Sequence, residues 1–183
     1  MKSKKSIIGI LLLVFALTLA ACTGNNEKTN TKVNDEDMSM DHSVSAEIPA
    51  DLKEEENPKY KVGSKVIIET SHMDGMKGAE AIIVGAFDTN AYAISYTPKN
   101  GEEKVKNHKW VIQQELVDAG DKLLKPGKEV KVMASHMEGM YGANAKIDSA
   151  EPTTVYMVNY KPTTGGKAVE NHKWLTENEI KAE

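Results

Sequence analysis

Hydrophobic and polar positions divide this chain into distinct zones. Residues 7–21 form an apolar run without a charge, preceded by Lys2, Lys4 and Lys5. Residues 23–58 are polar and acidic, with few aliphatic side chains. From residue 61 onward, short apolar runs alternate with turn residues. Residues 66–69 read as a strand after a Gly turn, 71–78 as a loop and 81–87 as a second strand. Residues 91–96 alternate large and small side chains, as a half-buried strand does. Asn100-Gly101 marks a hairpin, 105–111 its partner strand and 113–116 a closing turn of helix.

This pattern then recurs. Residues 61–119 align with 125–183 without a gap, matching Gly63 with Gly127, Gly75 with Gly139, Tyr92 with Tyr156 and Tyr96 with Tyr160. Asn107-His108-Lys109-Trp110 returns whole at 171–174. Such self-similarity indicates two copies of one module. Several short strands in so few residues suggest an all-β fold of two tandem SH3-like barrels, at 59–120 and 121–183. In the first, Tyr92, Ile94, Tyr96, Val105 and Val111 would carry much of a modest core.

The N-terminal zones supply an address and a spacer. The apolar run is shorter than the ~20 residues a membrane-spanning helix needs, and reads as a secretory signal at 1–21. It ends Leu19-Ala20-Ala21-Cys22, which resembles the lipobox of bacterial lipoproteins. That resemblance implies that Cys22 carries the lipid, becomes the mature N-terminus and anchors the protein to the cell membrane facing outward. Residues 22–58 bury too little apolar surface to offset chain entropy and read as a disordered acidic linker. Within it, Met38, Met40 and His42 form a candidate metal patch.

Composition narrows the function. The chain has nine Met, five His, one Cys and no Arg, with a net charge of −4. A single Cys excludes an intramolecular disulfide and a Cys-only zinc site. An acidic chain without Arg is a poor binder of nucleic acid.

Most of the His lies in two repeated motifs: Ser-His-Met-Asp/Glu-Gly-Met-x-Gly-Ala at 71–79 and 135–143, and Asn-His-Lys-Trp at 107–110 and 171–174. The candidate metal ligands are His72, Met73, Met76 and His108, with their copies His136, Met137, Met140 and His172. Thioether and imidazole select soft metals, Cu(I) foremost. Outside the cytoplasm a thiolate risks oxidation, whereas a thioether forms no disulfide. Strand alternation puts His108 and Trp110 on one face. Trp110 and Trp174 are candidates for covering a cation with their rings. Met133 and Met157 have no Met counterpart in the other copy and read as core. A competing structural reading makes the motif Met apolar plugs and Asn-His-Lys-Trp a structural corner.

The paired motifs behind a lipobox and an acidic linker resemble the YdhK family of Gram-positive surface lipoproteins, which includes the CopL type associated with copper resistance. The resemblance covers nearly the whole chain. It implies a protein that binds Cu(I) at the cell surface and limits its toxicity, with a copper exporter as a candidate partner. The alternative is a cell-wall or protein-interaction module of SH3-like type without metal. No nucleophile–base pair is present, and no carboxylate pair recurs beside a His, so a non-enzyme is expected.

Overall fold

A computed structural model describes residues 47–183. The signal, Cys22 and the Met38, Met40 and His42 patch lie outside the described residues. Within them the chain is all-β. Its strands are β1 (Lys53–Glu54), β2 (Lys65–Ile68), β3 (Glu80–Tyr96), β4 (Val105–Ile112), β5 (Glu129–Lys131), β6 (Asn144–Tyr160), β7 (Val169–Thr176) and β8 (Ile180–Ala182). Two 3-10 turns, Gln113–Glu115 and Glu177–Glu179, follow β4 and β7. Among the described residues no helix is long and apolar enough to cross a membrane.

The strands join one sheet that runs through both repeats and is not closed. Its spine is the antiparallel pair β3–β6, which runs from Ala81 opposite Tyr160 to Tyr96 opposite Ala145 with register shifts after Ile83 and after Ala93. The first half of β3 also pairs with β2, and its second half with β4. β6 begins beside β5 and ends beside β7. The C-terminal β8 returns to pair with β2 of the first repeat. Leu116, at the end of the first repeat, bridges Val132 of the second in the same way.

This pairing exchanges halves between the copies. One core joins Val66, Ile68 and Ile83 of the first repeat to Tyr156, Val158 and Leu175 of the second. Another joins Tyr92, Ile94 and Val111 to Val132 and Ile147. A third packs Leu52, Phe87 and Trp110 against Met157 and Trp174. The reason is the length of β3. Two separate barrels would each fold back at residues 88–90, but here the strand passes straight through, opposite residues 152–154 of the other copy. Tyr92, Ile94, Tyr96 and Val111 are core residues, as the alternation indicates, and Val105 packs partly buried beside them.

Two expectations need correction. The linker does not extend as unstructured chain to residue 58: Leu52 is buried, Ile48 packs on the third core and β1 pairs with Asp88 and Phe87 of β3. Met157 is buried as expected, but Met133 is 45% exposed. It lies beyond the end of β5, where Val132 and Ala134 take the buried positions on either side.

The exchange extends to the loops. The loop holding His72 rests on the hairpin after β6, with Thr163 N–H donating to Gly75 O over 2.9 Å. In the mirrored contact, Lys99 N–H donates to Gly139 O over 2.8 Å. Gly75 has φ +74°, and a β-carbon there would stand 2.6 Å from Thr164 Oγ1 and 2.8 Å from Pro162 Cβ. Gly75→Ala is therefore expected to destabilise the protein by about 1–3 kcal/mol, from left-handed backbone and overpacking together. A urea midpoint unchanged from wild type would refute this.

Candidate functional site

The turns that close the two repeats build one site between them. After β4, the 3-10 turn places Glu115 beneath the loop of the other repeat, where its Oε1 lies 2.7 Å from His136 Nε2. Its Oε2 accepts from Trp174 Nε1 at 3.1 Å and from the Ile112 amide at 3.1 Å. The arrangement recurs with the repeats exchanged. Glu179 Oε1 lies 2.7 Å from His72 Nε2, and its Oε2 accepts from Trp110 Nε1 at 2.7 Å and the Thr176 amide at 3.1 Å.

These contacts fix the imidazoles. Burial pushes the carboxyls of Glu115 and Glu179 up, but the His rings, backbone amides and indoles outweigh it and hold both below the ordinary carboxylate range. An ionised carboxylate only accepts hydrogen bonds, so Nε2 of His72 and His136 carries a hydrogen. In the neutral ring the lone pair is then on Nδ1. Both Nδ1 atoms are buried and without a hydrogen-bond partner, as is Nε2 of His108. Buried polar atoms are normally paired, so three such nitrogens mark a site. Burial, with the His136 and His72 rings adding to it, pushes the His108 imidazole down to about 4, so it is neutral at neutral pH.

All four repeated His line one cavity of about 460 Å³, together with Met73 and Met137. The His108 and His136 ring centres are 6.4 Å apart. His108 packs edge-on against Tyr96, and His172 against Tyr160. Among the described residues no group of three His, Cys, Asp or Glu stands close enough to hold an ion by itself. Any soft-metal site here draws on fewer nitrogens, with thioether.

The remaining candidates fall elsewhere. Met76 and Met140 are fully buried, one in each of the first two cores, and do not line the cavity. Tight turns put them there: Met76 N–H reaches Met73 O at 3.3 Å and Ala79 N–H reaches Met76 O at 3.0 Å, folding the second Met under the loop. Both pack as apolar side chains in those cores. Simple alternation fails between His108 and Trp110, because the β3–β4 register shifts on both sides of Ile94, the partner of His108. Trp110 instead enters the third core and sends its N–H to Glu179. The cations over the indoles are Lys109, 4.8 Å from the Trp110 ring centre, and Lys173, 5.8 Å from that of Trp174.

Glu115 and Glu179 are the functional residues that motif reading passed over. The signal was present, since they are identical acids at matching positions of the two copies.

The geometry defines a tandem-repeat β protein with a shared His and Met cavity, and comparison with known proteins gives its family. The chain belongs to the family described as protein of unknown function (DUF1541), whose model matches residues 62–113 and again 126–177. It is 59% identical over 187 residues to the "Uncharacterized protein YdhK" of Bacillus subtilis (strain 168), covering all of this chain and 91% of the relative. A crystal structure of ydhK from Bacillus subtilis subsp. subtilis str. 168 is 64% identical, covers 79% of this chain and 99% of that one, and has a TM-score of 0.76. A solution structure of the ydhK C-terminal domain from B. subtilis is 66% identical over 67% of this chain and 92% of that one, with a TM-score of 0.64. That domain is folded on its own in solution. Residues 47–183 contain all three cores here, so this fragment is the unit to test.

Proposed function

We propose that this protein is a membrane-anchored, extracytoplasmic lipoprotein that binds Cu(I) at the cell surface and contributes to copper tolerance. The observation that carries the reading is the set of three buried, unpartnered imidazole nitrogens at a cavity also lined by Met73 and Met137. Neutral imidazole with thioether is a donor set for a soft monovalent ion, and the only Cys of the chain is Cys22. Sequestration needs no catalytic group. In this reading Cys22 carries the lipid, and onward transfer to a copper exporter is the partner step.

The test is anaerobic competition between fragment 47–183 and a colorimetric Cu(I) chelator. The fragment is expected to withdraw copper. Met73→Leu with Met137→Leu should weaken it by about ten-fold or more, as loss of ligands does. Met76→Leu with Met140→Leu should leave the affinity unchanged, because both side chains are core. Copper left wholly on the chelator by the unsubstituted fragment would sink the proposal.

A further inference from the structure

We infer that the cavity holds one copper ion between the repeats, with His108 Nε2 from the first and His136 Nδ1 from the second as its two nitrogen ligands. This rests on the copper reading above and adds stoichiometry and ligand identity to it. The tandem sequence leaves open whether each copy of the His-Met loop holds its own ion or the two copies share one. The geometry favours sharing.

The His108 and His136 ring centres are 6.4 Å apart, with planes inclined by 38°. The nitrogen named on each ring is buried and unpartnered. With a metal–nitrogen bond of about 2 Å and about 1.2 Å from nitrogen to ring centre, two imidazoles on opposite sides of one ion have centres about 6 Å apart. The observed spacing therefore fits one ion between the two rings. A cuprous ion has a filled d shell and accepts low coordination numbers, so two imidazoles with a cavity thioether complete its shell where no triad of His or carboxylate is assembled among the described residues. His72 Nδ1 is also buried and unpartnered, but its ring packs against Trp110 at 6.4 Å. Met137 follows His136 directly, lines the same cavity and is 43% exposed, which puts a thioether where an arriving ion first meets the protein.

Glu115 is the positioning residue of this centre. Its bond to His136 Nε2 leaves only Nδ1 free to ligate, and Trp174 holds the carboxylate from the other side. Because Glu115 belongs to the first repeat and His136 to the second, neither repeat can assemble the centre alone.

The test is anaerobic Cu(I) titration of fragment 47–183 against a chelator, with nitrogen-15 NMR of the His side chains. One tight equivalent per chain is expected. His108→Asn and His136→Asn should each weaken it by about 100-fold, and the double variant no further, since both remove the same ion. Met133→Leu, at an exposed methionine outside the cavity, should leave it in place. In the unsubstituted fragment, which needs no variant to fold, Cu(I) should shift His108 Nε2 and His136 Nδ1 and leave His172 where it was. Two tight equivalents, each lost independently with one repeat's His, would overturn the shared centre while leaving copper binding intact. So would NMR shifts confined to other nitrogens. No tight equivalent at all would overturn the copper reading itself.

Discussion

Glu115→Leu is expected to destabilise the protein by about 2–4 kcal/mol and to release a loop of the opposite repeat. The carboxylate accepts from His136 Nε2 at 2.7 Å, Trp174 Nε1 at 3.1 Å and the Ile112 amide at 3.1 Å. Leu fills a similar volume, so the loss is polar. A buried donor left without an acceptor costs about 1–3 kcal/mol, and three lose theirs together. Removing a buried charge returns part of that as relieved desolvation, and His136 can recover a little by changing tautomer. Glu115→Gln keeps an acceptor for some of the donors and should cost less. Glu179→Leu should reproduce the effect through His72, Trp110 and the Thr176 amide. Urea denaturation measures the stability, and Cu(I) competition should fall by about 10- to 100-fold as His136 loses its orientation. A Glu115→Leu protein within about 0.5 kcal/mol of wild type, the range of an ordinary surface change, would show that the carboxylate does not organise the site.

The strands were legible from their large–small pattern, but 91–96 is not half-buried as that pattern suggests: Tyr92 and Ile94 enter the second core and Ala91 and Ala93 the third. Residues 91–96 alternate large and small, 105–111 follow a hairpin signal, and the structure has β3 and β4 there. Asp88-Thr89-Asn90 has turn composition but lies inside β3, opposite Thr154, Thr153 and Pro152. Local propensity loses at this point to pairing with the matching segment of the other copy. A repeat in sequence shows that two copies exist, but not which half of each pairs with which. That choice depends on whether β3 turns or continues, and nothing local encodes it. Leu52 and Ile48 are two of the few apolar residues in a polar stretch, too sparse to signal that they cover the third core.

The site divides similarly. The repetition marked all four His, and all four line the cavity. It could not separate Met73 from Met76, because spacing inside a Gly-containing loop does not reveal which side chain the turn folds under. Glu115 and Glu179 escaped because each holds a His that belongs to the other repeat. Function-bearing contacts across the exchange are invisible to any reading that treats each repeat as a unit.

The exchange of halves makes a stronger claim about folding: Ile68→Ala is expected to cost about 2–5 kcal/mol and to weaken both repeats as one unit. Ile68 is fully buried in a core that contains Tyr156, Val158, Leu175 and Ile180 of the second repeat. Its truncation removes apolar contacts and leaves a cavity that the flanking strands fill only partly. If each repeat folded around its own core, the loss would stay in residues 59–120 and unfolding would split into two steps. Here the core around Ile68 also takes side chains from β6, β7 and β8, and β6 continues into the second core beside Tyr92 and Ile94. The damage therefore reaches both copies through the same strands. Far-UV circular dichroism and the fluorescence of Trp110 and Trp174 should report one coincident urea transition, shifted to lower midpoint with an unchanged slope. Substituting Val132, fully buried in the other core, should do the same from the second repeat. Two separated transitions in the Ile68→Ala protein would mean that the repeats are thermodynamically independent despite sharing their strands.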